Sequence, residues 1–398
     1  MKSRTLYFAV QSRLHRDSGG NVRTGFGYAR FNAWLPYLAG VDRVVVIARV
    51  SDQVSDSGFL VEGPGVTVMP VPFYQGPADF ARKFFMVRRF IKENLVDPSA
   101  LYGARVPNVM ASLVQQRARQ LGAIYFPQIV GDPEEVLKSG VAGAVGRLAA
   151  KPAKWIVARQ VSRADAVIYV TRSTLQSKYP ASAGVPTLIR SNVELHSESF
   201  AKHPRDYSRL DLRPLRLVAV GSQEQAYKGH DVLITSLALL RARGIKVEAT
   251  IIGDGRYHAS LLDQAKALGV GDVVSFVGHV AGPELVRKYI TGSHIFVMPS
   301  LTEGLPRALI EAMASGTLSI GSRVGGIPEL LSDDAMFAPG DAGAIVAVVE
   351  RLLQQPSRMN ELAGEQFKEA RLIGTHFSGE AVLGEFIELL SSRSRRST

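Results

Sequence analysis

Between Ile295 and Glu329 the chain reads as strand, tight turn and helix twice over, and this repetition limits the fold more than any other feature. The apolar run at 295–298 stops at Pro299. Gly304 and Pro306 then open a helix, and Gly316 ends it. A second short strand runs into Val324-Gly-Gly-Ile-Pro-Glu329. Strands joined by a single crossover helix run parallel, so both turns belong to one edge of a parallel sheet. Glu303 lies in the first turn. Glu311 lies inside the helix beside Ala308, Ala312 and Ser315 at helical spacing. The turn leaves backbone N–H groups and a positive dipole end facing whatever lies beyond the strands. Two carboxylates able to accept from hydroxyls, next to an anion-favouring helix end, suit a phosphorylated sugar. Alone, the same spacing also fits a solvated loop glutamate and an ion-paired helical one.

The pattern extends in both directions. Strands at 217–220, 247–253 and 273–277 alternate with helices at 231–241, 257–267 and 283–290. In the first half, strands are expected at 6–10, 44–48, 66–71, 124–130 and 165–170. A glycine-bearing loop covers 17–27, a helix with Phe31, Trp34, Leu35 and Leu38 on one face covers 26–38, and a helix covers 80–95. From 182 to 214 periodicity fades, punctuated by Pro186, Asn192, Pro204 and Pro214. Helices at 344–353 and 357–390 close the chain, the last with Val382, Phe386, Leu389 and Leu390 on one face. A chain of 398 residues suits two cores. The expected fold is α/β: two Rossmann-like, doubly wound parallel-sheet domains facing a cleft, with C-terminal helices. We divide it into a first domain at 1–190, a linker at 191–214 and a second domain at 215–375. Residues 376–398 are a helix returning to the first domain and a basic tail. Ligands of such sheets bind beyond the carboxyl ends of the strands.

Charge narrows the partners. The formal net charge is +11, which favours anions. Nucleic acid is not expected, because no basic stripe with interleaved aromatics and no reader motif is found. Two basic segments stand out. One is 80–95, with Phe80, Phe84, Val87 and Ile91 at helical spacing among Arg82, Lys83, Arg88, Arg89 and Lys92. The other is 141–163, with Arg147, Lys151, Lys154, Arg159 and Arg163. Each reads either as a helix lying on an anionic membrane surface or as a helix packed on the sheet with a solvated basic face. There is no cysteine, hence no disulfide or thiolate metal site. The first ten residues lack the apolar stretch of a signal peptide, and no segment reaches the ~20 apolar residues of a spanning helix. The expected location is cytoplasmic, with a peripheral place on the inner face of the membrane as its extension.

Several chemistries lose support. No Asp-x-Asp or His-Glu-x-x-His occurs, so no protein-bound metal and no cofactor are expected. Gly-x-Ser-x-Gly and the Walker lysine motif are missing too. Gly253-Asp-Gly255 starts like a dinucleotide fingerprint, but His258 stands where the third glycine belongs. It reads as a tight strand-to-helix turn, over a nucleotide phosphate or plain. Gly278-His-Val280 ends a strand at the same edge, where backbone groups can meet a flat base. Lys228 directly precedes a helix, where the dipole disfavours a cation unless a diphosphate is bound.

Taken together these stretches resemble the family 4 retaining glycosyltransferases of the GT-B fold. The likeness rests on Val-Gly-Ser-Gln-Glu-Gln-Ala-Tyr-Lys-Gly, Ile-Gly-Asp-Gly, Phe-Val-Gly-His-Val, Pro-Ser-Leu-Thr-Glu-Gly-Leu-Pro-Arg-Ala-Leu-Ile-Glu-Ala-Met-Ala-Ser-Gly and Gly-Gly-Ile-Pro-Glu, in that order between Leu217 and Leu331. The resemblance implies that Glu311 binds the donor ribose and that Glu303 contacts the donor sugar or sits beside the reacting carbon. Lys228 would hold the leaving diphosphate, helped by N–H groups of Gly304, Leu305 and the neighbours of Pro306. Gly253, Gly255 and Val280 would line the nucleotide. Ser222 stands where the family usually has an arginine, so Arg256 would have to supply the second cation. His294 replaces a frequent aspartate. Gly131-Asp132 replaces a His-Asp pair, making Asp132 the acceptor-side candidate; an Asx-type turn before Pro133 is its plain reading. The loop with Gly19, Gly20 or Gly25 would approach the donor diphosphate and the acceptor. The activity implied is hexose transfer from a nucleoside diphosphate sugar, UDP- rather than GDP-linked, to a glycan or lipid-linked acceptor. An epimerase of the same architecture and a non-catalytic sugar-nucleotide-binding module are the competing readings.

Overall fold

The computed structural model describes residues 4–24, 41–140, 143–191, 193, 195–280, 282–377 and 386. Gly25, the helix expected at 26–38 and the face of Val382, Leu389 and Leu390 lie outside the described residues. The chain divides into two units, one of residues 1–131, 154–190 and 379–398, the other of 132–153 and 191–378.

The first unit starts with β1 (Arg4–Arg16), β2 (Val22–Thr24), β3 (Val41–Val54), β4 (Phe59–Leu60) and β5 (Val66–Val71). Helix α1 (Gly76–Asn94), β6 (Leu101–Val106), α2 (Val109–Leu121) and β7 (Ile124–Ile129) follow. A short α3 (Pro133–Lys138) and a long α4 (Gly143–Ser162) come next, of which 132–153 belong to the second unit, and the first unit ends its sheet with β8 (Val167–Tyr169), α5 (Thr174–Lys178) and β9 (Thr187–Ile189). The parallel order is β5-β3-β1-β6-β7-β8-β9. Its core joins Leu6, Phe8, Val44, Val46, Leu101 and Ile168 to Phe126, against whose ring Phe386 stands edge-on at 6.1 Å.

One local expectation changes, and of the two readings of the helix at 80–95 the packed one fits its apolar face. Of the loop expected at 17–27, the described part, 17–24, is a turn into a strand: β1 runs on to Arg16 and turns into the antiparallel β2. Asp17 pins that turn by accepting from the N–H groups of Gly19 and Asn21 and from Arg23 Nε. The periodic face of α1 points inward. Val87 and Ile91 are buried and Phe80 packs on Tyr74 at 4.9 Å, leaving Arg82, Arg88, Arg89 and Lys92 exposed.

The second unit contains β10 (Leu215–Val220), α6 (His230–Ala242), β11 (Val247–Ile252), α7 (His258–Ala267), β12 (Val274–Gly278) and α8 (Pro283–Gly292). It continues with β13 (Ile295–Met298), α9 (Arg307–Ala314), β14 (Leu318–Ser322), β15 (Met336–Phe337), α10 (Ala342–Leu353) and α11 (Pro356–Leu372). All six strands are parallel in the order β12-β11-β10-β13-β14-β15. The order reverses between β10 and β13, and the crevice at such a switch point is where open α/β sheets take ligands. Residues 191–214 are tied to this unit rather than hanging between elements. The buried Tyr207 hydroxyl donates to His294 O at 2.7 Å and accepts from Leu318 N at 2.8 Å, while Arg205 donates to the carbonyls of Thr291 and Ser293. The single helix expected at 357–390 ends at Leu372, where residues 373–377 widen into a π turn around Gly374.

Candidate active site

The turns after β10 and β13 flank the switch point, and the structure joins them through one ion pair. Lys228 Nζ donates to Glu303 Oε1 at 2.7 Å, with the lysine side chain 22% and the glutamate side chain 9% exposed. Ser300 Oγ donates to the same oxygen at 2.7 Å, and Ser322 Oγ donates to Ser300 O. Burial alone would lower the Lys228 ammonium pKa, but the Glu303 carboxylate and then Tyr227 outweigh it and the net shift is upward. The lysine is therefore a fixed cation.

Backbone packing explains the placement. Lys228 ends a 3₁₀ turn, Ala226–Lys228, and Gly229 follows at φ +69°. A Cβ on Gly229 would stand 2.0 Å from Pro299 O, so only glycine lets the two turns meet. Leu301 N donates to Tyr227 O at 2.7 Å, and Gly326 N to Gly304 O at 2.7 Å, which draws the turn after β14 onto the same edge.

Gly304, Leu305 and Pro306 lead into α9. Pro306 is the N-cap residue and supplies no side-chain cap. Glu311, one turn further, has a side chain 34% exposed and pairs only loosely with Arg307 at 3.7 Å. Loss of hydration raises its pKa, and Arg307 offsets this in part.

The turn after β11 packs on the turn after β10. Gly253 and Gly255 have φ +136° and +152°, and Cβ atoms there would lie 1.9 Å from Gly221 O and 2.2 Å from Glu224 N. The glycine requirement of Gly-Asp-Gly thus comes from this backbone approach. Ser222 Oγ accepts from Glu224 N at 3.2 Å, and Arg256 Nε donates to Glu224 O at 2.9 Å. The arginine from the next turn is therefore bonded two residues from the position where the family pattern puts one. Val280, just past β12, is half-buried at the same edge.

Three side chains were not singled out from sequence. Gln223, 1% exposed, donates its N–H to Asp254 O and its amide Nε2 to Gly253 O, and its Oε1 meets His258 Nδ1 at 2.8 Å. Ser300 has been described. His230 is buried, with Nε2 3.2 Å from Gly221 O, and burial first, then the Lys228 charge, push its pKa down to about 4. All three lie within the motifs quoted above or beside them, and their burial is the signal a sequence does not carry.

Asp132 caps α3, accepting from Glu134 N at 2.8 Å, and is 3% exposed. In the same unit Thr302 Oγ1 donates to Glu135 Oε2 at 3.4 Å, which brings the helix capped by Asp132 to the Glu303 turn. Gly19 and Gly20 form the exposed tip of the β1–β2 turn in the first unit.

Residues 214–355 match the family described as Glycosyl transferases group 1. A GDP-mannose-dependent alpha-(1-6)-phosphatidylinositol monomannoside mannosyltransferase of Mycolicibacterium smegmatis is 28% identical over 366 residues, which is 88% of this chain and 86% of that protein. Among solved structures, sucrose-phosphate synthase of Thermosynechococcus elongatus superposes with a TM-score of 0.73 at 19% identity, over 99% of this chain and 100% of that one. Anabaena HepE in complex with UDP gives 0.62 at 18% identity over 98% and 100%. With two parallel-sheet units and the motif residues gathered at the switch-point edge of the second, the chain has the GT-B fold, and within it residues 214–355 are similar to the glycosyl transferases of group 1.

Proposed function

We propose that the chain is a retaining hexosyltransferase that moves a hexose from a nucleoside diphosphate sugar to a hydroxyl of a glycan or lipid-linked glycan in polysaccharide biosynthesis. The carrying observation is the Lys228–Glu303 pair set between two turns at the switch point, with Glu311 one helical turn into the α9 helix that follows the Glu303 turn. In this reading Glu311 accepts from the ribose hydroxyls, and Glu303 orients the donor sugar. Lys228, with the uncapped first turn of α9, receives the charge that develops on the leaving diphosphate. Gly253, Gly255 and Val280 border the nucleotide, and Arg256 takes the place left by Ser222. The bond from the anomeric carbon to the phosphate oxygen breaks as the acceptor oxygen bonds to that carbon on the same face. The acceptor proton passes to the departing phosphate, so neither a protein nucleophile nor a metal is assigned. Asp132 serves the acceptor side, and the Gly19-Gly20 turn approaches the diphosphate.

The mycobacterial relative is GDP-mannose-dependent and HepE was crystallised with UDP; we take UDP as the donor nucleotide. We also take the enzyme to be peripheral at the inner, anionic face of the membrane; no described helix is long and apolar enough to cross one.

The test is transfer from UDP- and GDP-hexoses to a panel of lipid-linked and free glycan acceptors, with the anomer of the product read by NMR. Lys228→Ala and Glu311→Ala are each expected to lower turnover by at least ~100-fold, the scale for losing one transition-state contact. Wild-type-like turnover in either variant removes the assignment. Sugar interconversion with donor alone would indicate the epimerase instead.

A further inference from the structure

The first unit carries a pair of arginines that the proposed reaction does not use. β1 and β3 run parallel, and their register brings Arg13 beside Arg49. The register shifts just before this point: β1 advances from Ala9 to Arg13 while β3 advances only from Ile47 to Arg49, so Gln11 and Ser12 bulge from the ladder. Arg49 stands level with Val71, the last residue of β5, and the pairing of β1 with β6 has already ended at Ala9. The two arginines therefore mark the carboxyl edge of this parallel sheet, the edge at which such sheets take ligands. Leu14, Ala48 and Val50 join the core around Phe126, so strand alternation turns Arg13 and Arg49 to the other face.

Arg49 is held there without a counter-charge. Its guanidinium lies 4.7 Å over the ring of the buried Tyr74, Nη1 donates to Tyr74 O at 3.2 Å, and Nη2 donates to Gln11 O in the bulge. These carbonyls fix the fork and use only part of its donor set. In the same unit Arg23, Lys83 and Arg89 each meet a carboxylate. Among the described residues Arg13 and Arg49 meet none. Loss of hydration lowers the Arg49 pKa, Tyr74 offsets this in part, and the charge of Arg13 adds to it. A half-buried guanidinium beside a second cation is costly as it stands, and an anion shared by the two removes the cost. Arg13 and Gln11 are exposed, so such an anion has access from solvent.

We propose that Arg13 and Arg49 bind an anionic group of the acceptor, which makes the acceptor an acidic saccharide whose charge is a phosphate or a carboxylate. Guanidinium forks suit either group, and a neutral glycan would leave both cations unmatched. The donor diphosphate is not the favoured occupant, because Lys228 and the uncapped first turn of α9 already answer its charge in the second unit. The inference rests on the transferase reading above and narrows its acceptor.

The experiment is titration calorimetry of the full chain with glucose 1-phosphate, glucuronate and glucose, with and without saturating UDP. The anionic sugars are expected to bind in both conditions and glucose in neither, and the tighter of the two identifies the charge as phosphate or carboxylate. Arg13→Gln should weaken that binding at least ~10-fold, the scale for losing one charge-assisted hydrogen bond. The same variant should keep the wild-type melting temperature and UDP affinity. Arg49→Lys retains the charge without the fork and should weaken the anionic sugars too, with a thermal melt to separate this from loss of the Tyr74 and Gln11 contacts. No binding of either anionic sugar, equal affinity for glucose, or binding indifferent to Arg13→Gln would overturn the proposal. A fall in UDP affinity in Arg13→Gln would also overturn it, by assigning the arginines to the donor. Anionic sugars held through Arg13 by a chain that does not bind UDP would support the anion site and overturn the choice of donor nucleotide instead.

Discussion

Lys228 can hold a single position because its neighbours leave it no other. Gly229 turns the chain left-handed under it, and Glu303 and Ser300 fix the charge and the carboxylate it meets. Gly229→Ala must therefore carry both a left-handed strain of about 1–2 kcal/mol and a clash with Pro299 O. We expect a lower unfolding midpoint and a loss of transfer on the order of 100-fold, since small displacements near the chemistry are that costly. Steady-state rates beside a thermal melt check it. An alanine variant with full activity would mean that the turn does not position the lysine. Glu303 and Glu311 were legible from their spacing in one motif, but the bond that joins Glu303 to Lys228, 75 residues away in sequence, was not.

At the scale of elements, the strand–turn–helix alternation from β10 to β14 was readable almost to the residue, whereas the helix expected after Val324-Gly-Gly is only a 3₁₀ turn at Ile327–Glu329 and the last helix stops at Leu372. Short β-branched runs and glycine stops leave few other options there. Residues 191–214 show the opposite case. They lack periodicity because they are held by side chains rather than by a ladder, Tyr207 serving the edges of β13 and β14 through its single hydroxyl. Tyr207→Phe leaves Leu318 N–H buried without its acceptor and is expected to cost about 1–3 kcal/mol, read from denaturant unfolding. An unchanged midpoint would show that this stretch is only laid on the unit. The α1 helix teaches a related point. Its aromatic spacing was legible, but whether that face met a membrane or the sheet was settled only by packing.

For the whole molecule, two buried histidines tie stability to pH. Burial foremost lowers His230 and His294 from the ordinary 6.5 to about 4. Between those values the unfolded chain binds more protons than the folded one, so stability rises with pH there and is lost as pH falls from about 6.5 toward 4. Melting temperatures across that window should decline, and His230→Gln with His294→Gln should flatten the decline; a flat wild-type curve would contradict the assignment. By itself the sequence determined two parallel α/β sheets, the edge proposed here to carry the ligand and the residues offered there, because period, turn chemistry and motif order are local. Only the tertiary structure decided which groups meet: Lys228 with Glu303, Arg256 with the Ser222 turn, and Gly253 with Gly221. Those meetings depend on how strands order and turns stack, and residues distant in sequence carry no mark of it.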